Sequence, residues 1–423
     1  MEDIIVVGAG PAGSRVAAAL AQKGHRVKVL EEHGRAGEAV CCTGIVGSEC
    51  YADLGGEASV LRSARSVTFV SPSGHIVRLE KDSPQAYVLD RPSLDIMLAE
   101  KAASYGADFV YDCHVEKAAR TNSHIEVRTV RRGRAEVHAA RGLVLASGPS
   151  SRLTSSLGLG ELGDFAVGAQ TEIEVEGIAE VEVRFSNELA PGFFTWVVPT
   201  TGKRALVGMI CREKPRSHFK AFLSRLEREG RIKSTECMVQ ARKIPLRPLD
   251  RTYGDHIVAV GDAAGQVKPT TGGGIYYGLL CADAAADVLD RALRAGDLSK
   301  RMLSTYESRW RKTLGSELRM GYLCRMAFER LGDRTIDALF EAVQANSIDR
   351  IALNSRAFSF DWHGGILGRA INHPAIWKLL GTTVLGLLSG KGGNPLAAEC
   401  LVTVKGRLRA EPLTPPSECA MQS

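Results

Sequence analysis

Residues 4–31, IIVVGAGPAGSRVAAALAQKGHRVKVLE, contain the pattern that decides the fold. An apolar, β-branched run precedes three glycines in G-x-G-x-x-G spacing, Gly8, Gly10 and Gly13, and a helical segment then leads to a second apolar run. In such a unit the first glycine permits a tight turn, the second lets backbone approach a pyrophosphate, and the third lets the helix pack on the strand. Glu31 ends the second run, where a carboxylate can accept hydrogen bonds from an unphosphorylated adenosine ribose. The stretch therefore predicts a dinucleotide-binding domain.

The composition indicates a globular protein with more than one domain. The chain has 423 residues, of which 44% are hydrophobic and 24% are charged, and its formal net charge is +6. Because this length exceeds that of a single ordinary core, two or three domains are expected. The modest charge, without a lysine-rich block, argues against nucleic acid binding and favours an anionic substrate or an anionic lipid surface.

The cysteines and the apolar runs indicate the cellular compartment of the protein and whether it spans a membrane. The 10 cysteines are scattered without a C-x-x-C pair, which predicts reduced thiols, a cytoplasmic protein and no metal site. The chain begins directly on the first predicted strand, so no signal peptide is expected. No apolar run reaches the roughly 18 residues that a membrane-spanning helix needs. Residues 364–393, apolar and interrupted by glycines, could cover a lipid tunnel, lie at a membrane interface or form a buried helix pair.

A second strand that leads into glycines lies at residues 256–278. The strand-like run ends at Gly261 and Asp262, and PTTGGGIYYG then begins a helix. The amino end of a helix carries partial positive charge, which suits the edge of a flavin ring where reduction places negative charge. Asp262 is placed to bond a ribityl or ribose hydroxyl, although a tight turn with an N-capping aspartate would show the same sequence.

The remaining segments predict how the domains are arranged. Residues 32–56 form a glycine-rich loop, residues 66–80 a β-hairpin, and residues 165–244 a series of strands with one amphipathic helix. We therefore predict an α/β fold: a Rossmann-like domain with an inserted antiparallel β-sheet substrate domain and a helical C-terminal region. The predicted boundaries are 1–65, 86–164 and 250–330 for the discontinuous dinucleotide-binding domain, 66–85 and 165–249 for the substrate domain, and 331–423 for the helical region.

Four segments resemble the geranylgeranyl reductase family of flavoproteins, which is part of the group related to p-hydroxybenzoate hydroxylase. They are GAGPAGS with Glu31, the DRPSLD segment, SGPSS and, above all, GDAAGQVKPTTGGGIYYG at residues 261–278. The resemblance covers residues 1 to about 330, and it implies an FAD-binding domain of the p-hydroxybenzoate hydroxylase type. The residues that it implies for FAD binding are Gly8, Gly10, Ala12, Gly13, Glu31, Glu32, Cys42, Gly44, Arg91, Val115, Gly148, Asp262, Gly273, Gly274 and Ile275.

A cysteine loop provides the candidate catalytic residue. Cys42, Thr43 and Gly44 are similar to the family's C-x-G loop, whose cysteine lies near the isoalloxazine. A thiol at Cys42 could donate the proton that completes alkene reduction, or it could only shape the pocket. Cys41 could instead face the flavin, and water or a tyrosine, Tyr276 or Tyr277, could supply the proton. Without the resemblance, both cysteines could equally be small packing residues.

Two further features bear on cofactor and substrate contacts. Arg91, just before a predicted helix, is a candidate contact to the cofactor phosphate or to its bound loop, or else an ordinary surface arginine. PGFFTWVVP, residues 191–199, is similar to the family's P-x-Y-x-W-x-F-P stretch, which lines the prenyl-chain cavity. The resemblance therefore implies Phe194, Trp196 and Val198 as substrate-binding residues. Val198 stands where phenylalanine is usual, which leaves the cavity apolar and the preferred chain length open.

The activity implied by the resemblance is the hydrogenation of isolated C=C bonds in geranylgeranyl chains, with a digeranylgeranylglycerol phospholipid as the expected partner. Because no second G-x-G-x-x-G motif follows a predicted strand, the electron donor is either NAD(P)H in a transient site or reduced ferredoxin. A monomer, peripherally associated with the membrane, is expected. The alternatives are reduction of a chlorophyll or menaquinone side chain, an FAD-dependent monooxygenase or halogenase, and a prenyl-binding protein without flavin chemistry.

Overall fold

The computed structural model describes residues 1–121, 123–149, 152–355 and 359–376. Its strands are β1 Glu2–Val7, β2 Val27–Leu30, β3 Ile45–Gly47, β4 Val60–Ala64, β5 Ser66–Val70, β6 Ile76–Glu80, β7 Ala86–Leu89, β8 Asp108–Val110, β9 Cys113–Arg120, β10 Ile125–Arg131, β11 Arg134–Leu145, β12 Phe165–Glu174, β13 Val181–Arg184, β14 Thr195–Pro199, β15 Arg204–Cys211, β16 Gln240–Pro245, β17 Tyr253–Gly254 and β18 Ile257–Ala259. Its helices are α1 Pro11–Gln22, α2 Ser48–Asp53, α3 Arg91–Ser104, α4 Leu153–Ser156, α5 Pro215–Arg228, α6 Ile275–Ala295, α7 Lys300–Phe328, α8 Asp333–Ala345, α9 Ile348–Leu353 and α10 Gly364–Asn372, with a 3-10 turn at Gly261–Ala264.

An eight-stranded sheet is the framework of the predicted dinucleotide-binding unit. Its path runs β17-β18-β11-β1-β2-β8, and β9 and β10 fold back beside β11. β1 pairs in parallel with β2 and with β11, and β11 pairs in parallel with β18. Ile4 and Val6 pack against α1 and α6 on one face, while Ile5 and Val7 pack toward β9 and β10 on the other. Burial on both faces explains the continuous apolar run, and the prediction of a Rossmann-like α/β fold is confirmed.

A seven-stranded sheet carries the β-rich segments, in the order β16-β12-β15-β14-β13-β5-β6. The predicted hairpin is present as β5 and β6, and α5 packs on one face of the sheet through its buried apolar stripe of Phe219, Phe222, Leu223 and Leu226. The sheet was predicted to be antiparallel. One of its pairings differs, because β5 pairs in parallel with β13. The hairpin comes from an earlier part of the chain, and β5 joins it to the sheet by this parallel pairing with β13.

A small third sheet, β3-β7-β4, links the two larger ones. It corrects the interpretation of residues 32–56 as one long loop, because these residues contain β3 and the short helix α2. The strand β3 pairs with β7 just after the cysteine loop, so the loop is held at its exit by backbone hydrogen bonds.

The helices that follow α6 form the C-terminal layer. The helix α7 spans 29 residues and buries Tyr306, Trp310 and Leu314 against the core of the first sheet. The helices α8 to α10 follow, and only the part of residues 364–393 up to residue 376 lies within the described residues. Among the described helices, none is both long enough and apolar enough to cross a membrane.

Candidate active site

A cavity of about 890 Å³ lies where the carboxyl ends of the parallel strands face the seven-stranded sheet. Ligands of doubly wound sheets bind at this edge. Of the residues predicted to hold the cofactor, all except Gly13 and Gly44 lie on the cavity wall. Those on the wall are Gly8, Gly10, Ala12, Glu31, Glu32, Cys42, Arg91, Val115, Gly148, Asp262, Gly273, Gly274 and Ile275.

The first glycine turn has the geometry of a phosphate cradle. A side chain at Gly8 would place its Cβ 2.5 Å from the Ala146 carbonyl oxygen, and one at Gly13 would place it 2.1 Å from the Gly8 carbonyl oxygen. The space around Gly10 contains no atom within 4 Å of the corresponding Cβ position. Gly8 and Gly13 are thus required by contact between the turn, β11 and α1, whereas Gly10 leaves room for a ligand beside the amino end of α1.

Glu31 lies across this turn at the end of β2. One carboxylate oxygen accepts a hydrogen bond from the Ala9 N–H at 2.8 Å, and the other accepts from the His33 N–H at 3.1 Å and pairs with His33 Nδ1 at 2.6 Å. A carboxylate has about four lone-pair positions, so acceptor capacity toward the cavity remains. The adjacent Glu32 is exposed and contacts His114 at 3.2 Å. The geometry fits a ribose at Glu31.

The second glycine turn places a carboxylate and a helix end on the same wall. Burial raises the pKa of Asp262, although the positive charges of Arg242 and Arg91 act to lower it. None of the described residues donates a hydrogen bond to its carboxylate. A Cβ at Gly274 would lie 2.7 Å from Asp262 Oδ1, so a side chain there would displace this carboxylate. A partnerless acceptor aimed into a cavity suits a hydroxyl-bearing ligand. Together the two turns fit the phosphates and sugar-like hydroxyls of FAD.

Arg91 lies on the cavity wall and contacts α3 and the cysteine loop. Its guanidinium forms a bidentate pair with Asp95, at 3.0–3.1 Å, and hydrogen bonds to the Cys42 side chain. The side chain lies on the cavity wall but is engaged by the cysteine loop and by α3. Its observed contacts therefore position Cys42, and its contact to a cofactor phosphate stays a prediction.

The cysteine loop reaches the cavity with both thiols. The Gly44 N–H donates to Cys42 Sγ at 3.4 Å, and a Cβ at Gly44 would lie 2.4 Å from the Leu89 carbonyl oxygen. Gly44 therefore does not line the cavity itself. Its lack of a side chain lets the cysteine loop pass close to β7. Burial raises the pKa of Cys41 to about 11, so this thiol is protonated at neutral pH. Tyr276 also lies on the wall, whereas Tyr277 is buried and donates to the Asp361 carbonyl oxygen at 3.3 Å.

The seven-stranded sheet forms the apolar wall of the cavity. The Trp196 indole lies over the backbone of its cross-strand partner Gly208, where a Cβ would be 2.3 Å from the ring. Ile210 and Ile244 continue this wall beyond Gly168, which also lacks a side chain. The Trp196 Nε1–H is buried and has no hydrogen-bond partner among the described residues. Trp196, Ile210 and Ile244 make this wall largely apolar.

Phe194 and Val198 do not lie on this wall. Val198 is 3% exposed and packs with Val88 and Val181, because β7 covers this part of the strand. It is absent from the wall of the described cavity, and its contact with a substrate stays a prediction. Phe194 lies between Trp196 and Phe185, in a tilted contact with the first at 6.0 Å and an edge-to-face contact with the second at 6.2 Å between ring centroids.

Phe185 in turn lines a second, apolar cavity of about 220 Å³ at the other side of this aromatic row. Apolar side chains of the β5–β6 hairpin and of α7 and α8 complete its lining. Phe194 is therefore an aromatic bridge between the two cavities.

Several wall residues were missed by sequence reasoning. Lys268, Phe360 and Asp361 lie on one side of the cavity, and Gln170 and Arg242 lie on the seven-stranded sheet. Lys268 stands inside the quoted GDAAGQVKPTTGGG motif, so a signal for it existed. Asp361 and Arg242 have no motif of their own, and only tertiary contacts bring them to the site.

Comparisons with known proteins agree with this geometry. Residues 3–363 match the family described as Lycopene cyclase protein. The chain is 31% identical over 363 residues to the digeranylgeranylglycerophospholipid reductase of Methanocaldococcus jannaschii, covering 83% of this chain and 92% of that protein. A reductase of the same name from Methanothermobacter thermautotrophicus is 31% identical over 364 residues, covering 83% and 94%.

Solved structures show the same fold. A geranylgeranyl bacteriochlorophyll reductase-like protein from Thermoplasma acidophilum superposes with a TM-score of 0.79 at 22% identity, covering 90% of this chain and 98% of that one. A halogenase variant in complex with FAD superposes with a TM-score of 0.62 at 16% identity, covering 97% and 96%. The halogenase likeness extends to the fold alone. The family match over residues 3–363, the reductase relatives and the quoted motifs agree with one another. The chain therefore belongs to the geranylgeranyl reductase family of flavoproteins.

Proposed function

We propose that the protein is an FAD-dependent reductase that hydrogenates C=C bonds in the geranylgeranyl chains of a digeranylgeranylglycerol phospholipid. The observation that carries the proposal is one cavity with three different walls. Two glycine turns with Glu31 and Asp262 suit a dinucleotide, the Trp196 surface suits a hydrocarbon chain, and the cysteine loop adds Cys42 to the wall of the same cavity. The reductase relatives at 31% identity support the same substrate class.

The chain's own residues supply position, a dry surface and a proton. Reduced FAD, when bound, supplies the hydride. An isolated alkene has no polar group through which it could be activated, so the wall around Trp196 must hold it in place and exclude water. The aromatic row from Trp196 through Phe194 to Phe185 extends the apolar surface from this wall toward the 220 Å³ cavity.

Cys42 is the proposed proton donor. Its side chain lies on the cavity wall, where the sulfur is held by a hydrogen bond that it accepts from the Gly44 N–H. Cys41, which is protonated and lies on the same wall, is the alternative donor. Tyr276 is a further candidate because it lies on the wall, whereas the buried Tyr277 is engaged elsewhere.

Arg242 supports an anionic head group on the substrate. It is exposed on β16, opposite Gly168, at the edge of the apolar wall. Arg91 and Lys268 on the same cavity wall are paired with Asp95 and Asp361, but Arg242 forms no ion pair with a carboxylate of the described residues. A guanidinium beside an apolar surface complements a phosphate attached to a hydrocarbon chain.

The remaining partners extend this proposal. NAD(P)H or reduced ferredoxin is the electron donor that we propose. The second G-x-G-x-x-G spacing, at Gly158, Gly160 and Gly163, lies between α4 and β12 and does not join a strand to a helix. We further propose that a monomer works at the cytoplasmic membrane surface, because a phospholipid substrate is located there and the net charge of +6 favours anionic lipid.

Anaerobic turnover tests the proposal directly. Protein loaded with FAD and reduced with dithionite is incubated with digeranylgeranylglycerol phosphate, and the lipid is analysed by mass spectrometry. The expected product gains two hydrogens for each double bond reduced. Lipid of unchanged mass, or oxygen consumption with an aromatic substrate under air, would contradict the reductase and favour the monooxygenase or halogenase alternative.

A further inference from the structure

A six-residue segment from the C-terminal layer forms part of the cavity wall. This segment, Ser359–Gly364 with the sequence SFDWHG, leads into α10, which begins at Gly364. It lies against the beginning of α6. Phe360 and Asp361 contribute to the wall. Asp361 is 1% exposed, so the C-terminal layer contributes a buried carboxylate to this wall.

Asp361 is bound to the residues that follow the cysteine loop. Its Oδ1 accepts from the Gly47 N–H at 3.1 Å, and its Oδ2 accepts from the Cys50 N–H at 3.2 Å. A Cβ at position 47 would lie 2.1 Å from Oδ2, so the carboxylate occupies the space that glycine leaves open. Asp361 thereby holds the junction between β3 and α2, which lies just after Cys42 and Gly44.

The same carboxylate is paired with Lys268 in the second glycine turn. Lys268 Nζ lies 3.4 Å from Asp361 Oδ1 and donates to the Phe360 carbonyl oxygen at 3.0 Å. The backbone of Lys268 closes the turn, because its N–H donates to the Gly273 carbonyl at 3.0 Å and its carbonyl accepts from Gly272 at 2.8 Å. Lys268 is 5% exposed, so the pair is shielded from water and from salt.

Neighbouring contacts hold the segment in one position. Trp362 Nε1 donates to Glu49 at 2.7 Å, and the N–H groups of His363 and Gly364 donate to Glu317 of α7. Burial lowers the pKa of Lys268, against the charge of Asp361, so the ammonium depends on this carboxylate. Loss of one partner would leave the other charge buried and unpaired.

We propose that Asp361 is a positioning residue of the active site. Its ion pair with Lys268 sets the separation between the cysteine loop, which carries Cys42, and the glycine turn at the start of α6. The C-terminal segment thus completes the site rather than only covering it. The inference concerns the same site as the proposed function and rests on that function for its catalytic meaning, but the geometry that it assigns can be tested without a lipid.

The test compares Asp361→Asn with a matched control, Asp337→Asn. Asp337 is another carboxylate of the C-terminal layer, and it binds Ser71 and Ser73 through three hydrogen bonds away from the cavity. Two quantities are measured: the dissociation constant of FAD, by fluorescence, and the rate of alkylation of Cys42 by iodoacetamide, by peptide mass spectrometry. Melting temperatures are recorded for every variant, so that a general loss of stability is visible.

Asp361→Asn is expected to raise the Cys42 alkylation rate and the FAD dissociation constant at least about fivefold, since displacements near 1 Å are enough for large effects. Asp337→Asn should change neither. The double variant Asp361→Asn with Lys268→Gln, which leaves no buried charge unpaired, should be less affected than Asp361→Asn alone.

Gly47→Ala provides a second route if Asp361→Asn does not fold, because it displaces the carboxylate and keeps both charges. It should change both quantities in the same direction. The proposal is overturned if whichever of the two variants folds keeps parental alkylation and FAD affinity, or if Asp337→Asn causes the same changes. A parent protein that binds FAD and shows these effects but reduces no lipid would refute the proposed function alone.

Discussion

At the scale of single residues, the site depends on which polar groups have partners and which do not. The Cys42 sulfur accepts a hydrogen bond from the Gly44 N–H, which fixes its position on the cavity wall. Asp262 and Arg242 are the opposite case, because no described residue bonds the carboxylate or forms an ion pair with the guanidinium. Unpartnered groups on a cavity wall are those that a ligand can satisfy.

The role of Cys42 is tested by replacing each thiol of the loop. Cys42→Ser should retain FAD and its reduction by the electron donor, but slow lipid turnover at least about tenfold, because positioned proton donors contribute about 10²–10⁴ in rate. Cys41→Ser should have a much smaller effect. Flavin absorbance and lipid mass spectra measure the two properties separately. Parental turnover in both variants would move the proton donor to Tyr276 or to water.

The role of Arg242 is tested by comparing substrates with and without a phosphate. Arg242→Gln should raise the KM for digeranylgeranylglycerol phosphate about tenfold, which corresponds to about 1.4 kcal/mol. It should leave the KM for uncharged geranylgeraniol and the FAD content unchanged. Arg228→Gln, on the exposed side of α5, is the control. Loss of FAD in the Arg242 variant would instead assign this arginine to the cofactor.

At the scale of elements, the seven-stranded sheet provides a substrate surface because two of its positions lack side chains. Gly208 lies under the Trp196 ring, and Gly168 lies under Ile244, with a Cβ position 3.0 Å from the Ile244 Cδ1. In a strand, glycine weakens the local structure unless another group approaches closely, and here that group is the indole. The two glycines and Trp196 therefore work as one unit.

This unit can be disturbed without changing polarity. Gly208→Ala should displace the indole and lower turnover of the geranylgeranyl lipid about tenfold, while FAD content stays at the parental level. Gly163→Ala is the control, since a Cβ there meets no atom within 4 Å. Steady-state turnover and flavin absorbance are compared for both. Equal turnover in the two variants would show that the position of Trp196 does not matter for the substrate.

At the scale of the whole molecule, the C-terminal layer contacts both large sheets. Asp337 of α8 binds the turn of the β5–β6 hairpin, and the SFDWHG segment binds the glycine turn and α7. His363 lies at this second contact, with Nδ1 2.6 Å from Thr270 Oγ1 and Nε2 3.0 Å from the Phe360 carbonyl oxygen. Burial, together with the nearby Lys268 charge, lowers the pKa of His363 to about 3.

A pH dependence of stability follows from this histidine. The unfolded histidine binds a proton below about pH 6.5, whereas the folded one does so only near pH 3, so the folded state loses stability as pH falls between these values. Because the ring is only partly buried, we expect a loss of about 1 kcal/mol between pH 7 and pH 5. Urea unfolding at both pH values measures it. His363→Asn should show a smaller pH dependence, and an equal dependence in both proteins would contradict the assignment.

The sequence by itself determined the features that depend on local pattern. The apolar run before Gly8, the spacing of the three glycines and the acid at Glu31 specify a strand, a turn, a helix and an acceptor within 28 residues, because steric and periodic constraints act over short distances. The amphipathic stripe of α5 and the β5–β6 hairpin were predicted for the same reason. The family resemblance then indicated the cysteine loop and the Trp196 stretch.

Only the tertiary structure decided which of these parts meet. Asp361 and Lys268 are 93 residues apart in the chain and have no shared motif, so no local pattern can pair them. The cover over Val198 comes from β7, and the partners of Arg91 come from α3 and the cysteine loop. Such contacts depend on how sheets and helices pack, and packing joins residues that the chain separates.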